Sequence, residues 1–112
     1  MEVLAHPAMS EITLTDVLHA LSDPVRLRLV TLLLDEGDPR SCAPNLWGVE
    51  VHKSTLSHHY KVLREAGLTH TIVEGRTRSV ELRRAELEER FPGLLAFLRA
   101  AAAREFTTPS GS

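Results

Sequence analysis

One segment of this chain has apolar residues on two faces of a helix, and it constrains the fold more than any other. It follows Ser22-Asp23-Pro24, a helix start signal, because Asp23 can accept backbone N–H bonds and Pro24 fits the first helical position. The predicted helix runs to about Glu36 and ends at Gly37. One apolar face consists of Val25, Leu29, Leu32 and Leu33, and the other of Leu27, Val30 and Leu34. A helix that is apolar over most of its circumference is buried, so we expect it to form the core of the domain.

Length and composition fit one soluble domain and exclude several classes of protein. The chain has 112 residues, of which 43% are hydrophobic and 25% charged, enough for one modest core. Its one cysteine, Cys42, excludes an internal disulfide framework and fits a reducing cytosol. There is no secretion signal and no run of about 18 apolar residues. We therefore expect a soluble intracellular protein with no membrane partner.

The first half of the chain contains two further predicted helices. Residues 1–10 lack periodicity and indicate a flexible arm. Residues 11–21 have the spacing of a short amphipathic helix, with Thr13 as a candidate N-cap. The apolar positions of this helix are Leu14, Val17, Leu18 and Leu21. A second short helix is a hypothesis for the stretch that contains Cys42, Ala43, Leu46 and Trp47.

The spacing of the apolar residues changes at Gly67 from that of a helix to that of β-strands. Residues 53–66 have helical spacing, with Leu56, Tyr60 and Leu63 directed inward, and Gly67 is placed to end this helix. Residues 68–74 and 77–83 then alternate with a period of two around Gly75-Arg76, which predicts a two-strand hairpin. A lone hairpin is only marginally stable, so it must pack on the helices.

The C-terminal third predicts more helix. Residues 84–90 form an acidic helical turn, and Pro92 marks the start of a terminal helix. The apolar face of that helix consists of Leu94, Leu95, Leu98, Ala101, Ala102 and Phe106. Residues 107–112 are expected to be a disordered tail, so the folded domain spans residues 11–106.

The order of these elements is that of a winged helix-turn-helix, a mainly α fold with a small β-hairpin. A recognition helix in the major groove needs short polar side chains on its outer face, because bulky ones hold the backbone away from base edges. The helix that starts at Lys53 has this character, and Gly75 leaves the wing flexible. The predicted DNA-binding residues are Lys53, Ser54, Thr55, Ser57, His58 and Lys61 on the helix, and Arg76 and Arg78 on the wing.

The net charge of −2 hides an uneven distribution of charge. The total alone argues against a protein that coats nucleic acid. Residues 53–84, however, hold seven basic and three acidic residues, a local balance of +4, so the rest of the chain carries −6. A basic edge on an acidic body is expected of a specific DNA-binding regulator.

Three segments of the chain resemble the ArsR/SmtB family of bacterial winged-helix regulators. They are Leu21-Ser-Asp-Pro-Val-Arg-Leu-Arg-Leu-Val, Lys53-Ser-Thr-Leu-Ser-His-His-Tyr-Lys-Val-Leu-Arg-Glu-Ala-Gly-Leu and Glu74-Gly-Arg-Thr-Arg-Ser-Val-Glu-Leu. The resemblance implies a cytoplasmic, nucleoid-associated homodimer, joined through its first and last helices, that binds a partly palindromic operator. The interface assigned on this basis consists of Leu14, Val17, Leu18, Leu94, Leu95, Leu98 and Ala102.

Many members of this family respond to a metal ion, and the resemblance implies ligands on the third helix or on the terminal helix. The short helix predicted around Cys42 is the third helix of the chain, and it offers only Cys42 where the family would have a Cys-x-Cys pair. The terminal helix would carry histidine ligands, but residues 84–112 contain no histidine. Asp16 and His19 share the outer side of the first helix, and a mobile arm could bring His6 toward them. Such a set suits Ni(II) or Zn(II) as an effector, with no cofactor required for folding. The length and character of the chain also resemble a nickel-responsive member of the family.

The alternative is that His19 is an ordinary solvated residue and that the regulator answers to another effector or to a protein partner. His59 is interpreted as a core histidine and His70 as cross-strand packing, while His52 is a weak helix cap or a phosphate contact. Arg83 and Arg84 are interpreted as a solvated end of the hairpin.

An enzyme is the weakest of the function classes considered. Ser57 with His58 or His59 suggests a nucleophile and a base, but adjacent helical residues point about 100° apart and no orienting acid is evident. A protein-interaction module built on the same fold is the stronger rival to a DNA-binding regulator. We therefore expect a regulator and not an enzyme.

Overall fold

The computed structural model describes residues 2–36, 40–41 and 51–106. These residues contain five α-helices and four short strands. The helices are α1 (Leu14–Leu21), α2 (Pro24–Glu36), α3 (Lys53–Glu65), α4 (Arg84–Arg90) and α5 (Leu94–Phe106), and a 3-10 turn spans Met9–Glu11. The strands are β1 (Glu2–Val3), β2 (Arg40–Ser41), β3 (Thr69–Glu74) and β4 (Thr77–Leu82). The predictions for Gly37, for a short helix between Cys42 and Trp47 and for the tail 107–112 lie outside the described residues.

A capping box sets the start of α1. Thr13 Oγ1 accepts a hydrogen bond from the Asp16 backbone N–H at 3.1 Å, and the Asp16 carboxylate accepts one from the Thr13 N–H at 3.4 Å. This reciprocal pair confirms Thr13 as the N-cap. The helix begins at Leu14 and not at Glu11, because Glu11 belongs to the 3-10 turn.

The second helix is the core of the protein, as its two apolar faces predict. Asp23 Oδ1 accepts from the backbone N–H groups of Val25 at 2.8 Å and Arg26 at 3.2 Å, which fixes the start of α2. The helix packs against α1, α3, α5 and β4. Its completely buried residues are Leu29, Val30 and Leu33. None of the helices in the described part of the chain is long and apolar enough to cross a membrane.

The sheet contains the predicted hairpin and two strands that were not predicted. Strands β3 and β4 pair from Thr69↔Leu82 to Glu74↔Thr77. The order of the antiparallel sheet is β1-β3-β4-β2. Each edge of the hairpin is thus covered by a two-residue strand, which satisfies backbone groups that an open edge would leave unpaired.

The N-terminal segment is part of the sheet in this structure. The sequence predicts a flexible arm over residues 1–10, but β1 pairs with β3 in the register Glu2↔Val73. The Leu4 N–H then donates to the Thr71 carbonyl at 2.9 Å. A strand of two residues is too short to show any alternation in the sequence, so periodicity could not reveal it.

The end of the hairpin packs against the rest of the described chain, with Arg83 buried and Arg84 half-buried. Arg83 donates from Nη2 and Nε to the Glu86 carboxylate at 2.9 and 3.1 Å, and from Nη1 to the Pro7 carbonyl at 2.9 Å. Arg84 Nη2 donates to the Leu33 carbonyl at 2.6 Å. The prediction of a solvated end for these two arginines is wrong, because both guanidinium groups turn inward and tie the hairpin to α4, the N-terminal segment and α2.

Gly67 ends α3 and meets another part of the chain. Its φ is +86°, the left-handed region that favours glycine, and the next N–H, of Leu68, donates to the Leu63 carbonyl at 3.0 Å. A Cβ on Gly67 would lie 2.4 Å from Ile12 Cγ1, and Ile12 is itself buried. Both the backbone conformation and this close approach require glycine.

We expect Gly67→Ala to lower the free energy of unfolding by about 2 to 4 kcal/mol, from left-handed strain and overpacking together. Gly93→Ala is the matched control, because Gly93 has the same φ of 86° but a Cβ there meets nothing within 4 Å. The control should lose only the backbone contribution, about 1 to 2 kcal/mol. Urea unfolding followed by circular dichroism measures both losses. Equal losses in the two variants would contradict the role given to Ile12.

Candidate nucleic-acid interface

One side of α3 is packed into the core. Leu56, Tyr60 and Leu63 are buried, as predicted from their spacing, and His59 is buried beside them. Gly67 and the turn after it lead the chain directly into β3, which also packs on α3. The orientation of α3 about its own axis is therefore set by its inner side.

The opposite side of α3 is polar and exposed. The structure leaves the six predicted DNA-binding residues of this helix exposed: Lys53, Ser54, Thr55, Ser57, His58 and Lys61. We call this set the outer face of α3. Three of the six are hydroxyl residues with short side chains, so a base edge could approach the helix backbone closely there.

The N-cap position of α3 is occupied by His52. Its backbone is extended, with φ −63° and ψ 149°, and its carbonyl accepts from the Leu56 N–H at 2.8 Å. Its side chain makes no capping hydrogen bond and is exposed. The cap interpretation is thus wrong for the imidazole, which instead lies at the start of the outer face.

The hairpin ends in a tight turn that carries the predicted wing residues. Gly75 has φ +62°, and Thr77 Oγ1 donates to the Glu74 carbonyl at 2.6 Å across the turn. Two-residue hairpin turns favour glycine at such positions, because they need positive φ. Arg76 and Arg78 are both exposed at this tip.

The structure changes the charge estimate for this region. Arg64 is half-buried, and its Nη1 donates to Thr71 Oγ1 at 3.3 Å. Arg83 and Arg84 also point inward, so three of the seven basic residues counted between residues 53 and 84 do not face outward. The outward cations are Lys53, Lys61, Arg76 and Arg78.

His59 faces the interior, as predicted for a core histidine. Its Nδ1 lies 3.2 Å from Arg26 Nη1. A guanidinium can only donate, so Nδ1 accepts and the neutral ring carries its proton on Nε2. Burial lowers the pKa of His59; Asp23 acts in the opposite direction, and Arg26 and His58 lower the pKa further.

The predicted metal ligands are not brought together. His6 Nδ1 lies 3.0 Å from the Leu4 carbonyl, and the His6 ring packs 4.3 Å from the ring of His70, centroid to centroid. The Asp16 carboxylate caps α1, and His19 is exposed. Within residues 2–36, 40–41 and 51–106 there is no group of three His, Cys, Asp or Glu side chains that could hold a metal ion.

His70 packs across the hairpin, as predicted. It is the pairing partner of Glu81, and Nδ1 lies 3.7 Å from Glu81 Oε1. Burial lowers the pKa of His70, and His6 and Arg83 lower it further against the opposite effects of Glu86 and Glu81. Sequence reasoning missed the contact with His6, because it depends on the pairing of β1.

The predicted dimer interface is only partly available at the surface. Four of its seven residues are buried within the same chain: Val17, Leu95, Leu98 and Ala102. Leu94 is half-buried, whereas Leu14 and Leu18 are 48% and 53% exposed. Phe97, at 67% exposed, was missed because it lies outside the apolar stripe of the last helix.

The arrangement defines a class of protein. A buried central helix, a helix with one packed and one polar exposed side, and an antiparallel hairpin with arginines at its tip form a winged helix-turn-helix. The comparisons with known proteins agree. Residues 21–72 match the family model described as a helix-turn-helix domain.

One relative and one solved structure of similar fold extend this agreement beyond the helix-turn-helix. The uncharacterized HTH-type transcriptional regulator YceK of Bacillus subtilis (strain 168) is 39% identical over 82 residues, which are 73% of this chain and 82% of the relative. The ArsR-like transcriptional regulator from Rhodococcus sp. RHA1 superimposes with a TM-score of 0.56 at 22% identity, covering 85% of this chain and 92% of that chain. The protein belongs to the HTH-type transcriptional regulators, with an ArsR-like winged-helix fold, which agrees with the prediction that it is not an enzyme.

Proposed function

We propose that the protein is a sequence-specific transcriptional regulator that binds double-stranded operator DNA as a homodimer. In this proposal α3 enters the major groove and the β3–β4 hairpin lies against the adjacent backbone or minor groove. The observation that carries it is the contrast between the two sides of α3, one packed in the core and one polar and exposed. Membership in the HTH-type regulators supports the same function.

The outer face of α3 divides into residues for bases and residues for phosphates. Ser54, Thr55 and Ser57 offer hydroxyl groups that both donate and accept, as base edges require. Lys53 and Lys61 stand near the two ends of this surface and supply positive charge for phosphates. His58 lies between these groups and is proposed as a further base or phosphate contact.

The wing supplies the second contact. Arg76 and Arg78 are exposed at a tight turn that also carries the exposed carboxylate of Glu74, and arginine suits both phosphate and narrow minor grooves. Neutralised phosphates release counterions, so the DNA affinity should fall steeply with added salt. The acidic remainder of the chain limits nonspecific binding.

We expect the double variant Ser57→Ala, Arg76→Ala to lose DNA affinity by about tenfold to a hundredfold, since it removes one base-facing hydroxyl and one wing cation. Arg99→Ala is the control, because Arg99 is an exposed cation on α5 that bonds Asp35 at 3.2 Å, away from the proposed surface. A mobility shift with a duplex selected by the wild type from a random-sequence pool measures both. Wild-type affinity in the double variant would reject this reading surface.

The proposed homodimer uses the first and last helices. A palindromic operator presents two half-sites, and two copies of α3 are needed to contact both. Leu14 and Leu18 on α1 and Phe97 on α5 are large apolar side chains that the single chain leaves about half exposed or more. These three residues support an interface on α1 and α5: Leu14 and Leu18 belong to the predicted set, and Phe97 is added to it.

We expect Leu18→Glu to weaken dimerisation by about tenfold or more, because it places a charge in an apolar contact. His19→Glu adds the same charge at the next residue, which lies on another side of the helix, and should dimerise as the wild type does. Sedimentation velocity over a range of protein concentrations measures the equilibrium. Equal dimerisation of the two variants would contradict the proposed interface.

Response to Ni(II) or Zn(II) remains a separate hypothesis, drawn from the family resemblance and from the six histidines of the chain. Because His6 packs on His70 and the Asp16 carboxylate caps α1, we expect the double variant His6→Ala, His19→Ala to bind either ion as the wild type does. Isothermal titration calorimetry of both proteins makes the comparison. A loss of binding in the variant would restore His6 and His19 as ligands.

A protein-interaction module is the second candidate function, and the mobility shift with the selected duplex separates it from a DNA-binding regulator. A regulator of bacterial operators works at the chromosome. We accordingly place the protein in the cytoplasm, at the nucleoid, as part of the proposal.

A further inference from the structure

Arg26 joins three helices behind the outer face of α3. Its Nε donates to the Ala20 carbonyl at the end of α1 at 2.6 Å, and its Nη1 donates to His59 Nδ1 on α3 at 3.2 Å. Its backbone N–H donates to Asp23 Oδ1 at 3.2 Å, at the start of α2. Arg26 is 9% exposed and His59 7% exposed. A polar contact shielded from water thus lies among the apolar contacts that position α3.

This contact requires one protonation state of His59. Nδ1 can accept from the guanidinium only while it keeps its lone pair. A second proton on the ring would place an N–H of His59 opposite an N–H of Arg26. Two donors cannot form a hydrogen bond, and both buried side chains would then be positively charged. The contact would then break. Ser57 and His58 directly precede His59, so a rotation of α3 at this point moves the outer face.

We propose that Arg26 is a positioning residue for DNA binding, which holds the outer face of α3 in place through His59 until His59 is protonated. The inference rests on the proposed DNA-binding function and adds an acid-sensitive control to it. In this proposal the pH response acts through His59, a buried residue that does not itself contact DNA.

Burial and the charged groups around His59 determine the direction in which its pKa is shifted. From the ordinary value of 6.5, burial lowers its pKa; Asp23 on the α2 side raises it, and Arg26 on α2 and His58 on α3 lower it. Burial raises the pKa of Asp23, but the backbone N–H groups of Arg26 and Val25 and the charges of His59 and Arg26 outweigh burial, so this carboxylate stays ionised.

The sign of the pH dependence follows from the lowered pKa of His59. As the pH falls, His59 in the unfolded chain takes up a proton at a higher pH than His59 in the folded chain. The contribution of this contact to the free energy of unfolding is therefore complete above pH 6.5 and is lost as the pH falls below it. DNA affinity should fall in the same direction, at the lower pH at which the folded ring becomes protonated.

His59→Asn tests the inference, because the amide oxygen can accept from Arg26 in place of Nδ1 but does not titrate. His58→Asn makes the same change at the preceding, exposed position. Fluorescence anisotropy with a labelled duplex, selected by the wild type from a random-sequence pool, measures affinity from about pH 7.5 to about pH 5.5 at constant ionic strength. The wild type should lose affinity by about twofold to fivefold, short of tenfold because the pKa of His59 is lowered from 6.5, and the affinity of His59→Asn should stay nearly constant. His58→Asn should bind more weakly throughout and keep the acid-dependent loss.

Nitrogen-15 NMR of the wild type gives a readout that does not depend on DNA. At neutral pH the ring of His59 should carry its proton on Nε2; a proton on Nδ1 overturns the inference. An unchanged acid-dependent loss in His59→Asn overturns it as well, while DNA binding itself stands. If the wild type enriches no duplex at all, the proposed function fails and the inference fails with it.

Discussion

The packing of Leu56, Tyr60 and Leu63 against the helical core is the interaction on which the rest of the structure depends. These three side chains remove one side of α3 from solvent, and they thereby fix which of its residues face outward. Because α2 is apolar on two faces, it can hold α3 on one side and α5 on another. The hairpin is placed by the same packing, since Gly67 ends α3 and β3 begins two residues later. A polar surface suited to DNA is therefore a consequence of how the apolar side is buried.

Helices and the main hairpin could be predicted from the sequence because their signals are local. Periodicity located α2 and α3, and the caps at Thr13 and Asp23 marked two helix starts within a few residues. The edge strands could not be predicted, since two residues show no period. The inward turn of Arg83 was also hidden, because one of its partners is the carbonyl of Pro7, 76 residues away in the chain. Contacts of that range follow from the completed fold and not from any local pattern.

The candidate site was predictable to the same extent and for the same reason. Helical spacing separates the inner and outer sides of α3, so the exposure of Ser57 and its neighbours could be anticipated. An apolar stripe on a helix, however, does not show whether it packs in the core of the same chain or against a partner. Val17 turned out to be core, whereas Leu18 beside it is half exposed. Net charge was ambiguous in a similar way, since a basic residue such as Arg64 counts in the sum but bonds inward to Thr71.

In the proposed function, the outer face of α3 and the tip of the hairpin form one DNA-reading surface. Amide NMR spectra of the 112-residue chain, recorded during titration with the selected duplex, test for this surface directly. The largest shifts and the strongest protection from exchange should fall on residues 53–61 and 75–78, with little change in α4. Shifts centred on α4 and absent from residues 53–61 would contradict it, because the surface held in place by Leu56, Tyr60 and Leu63 would then not be the one that meets DNA.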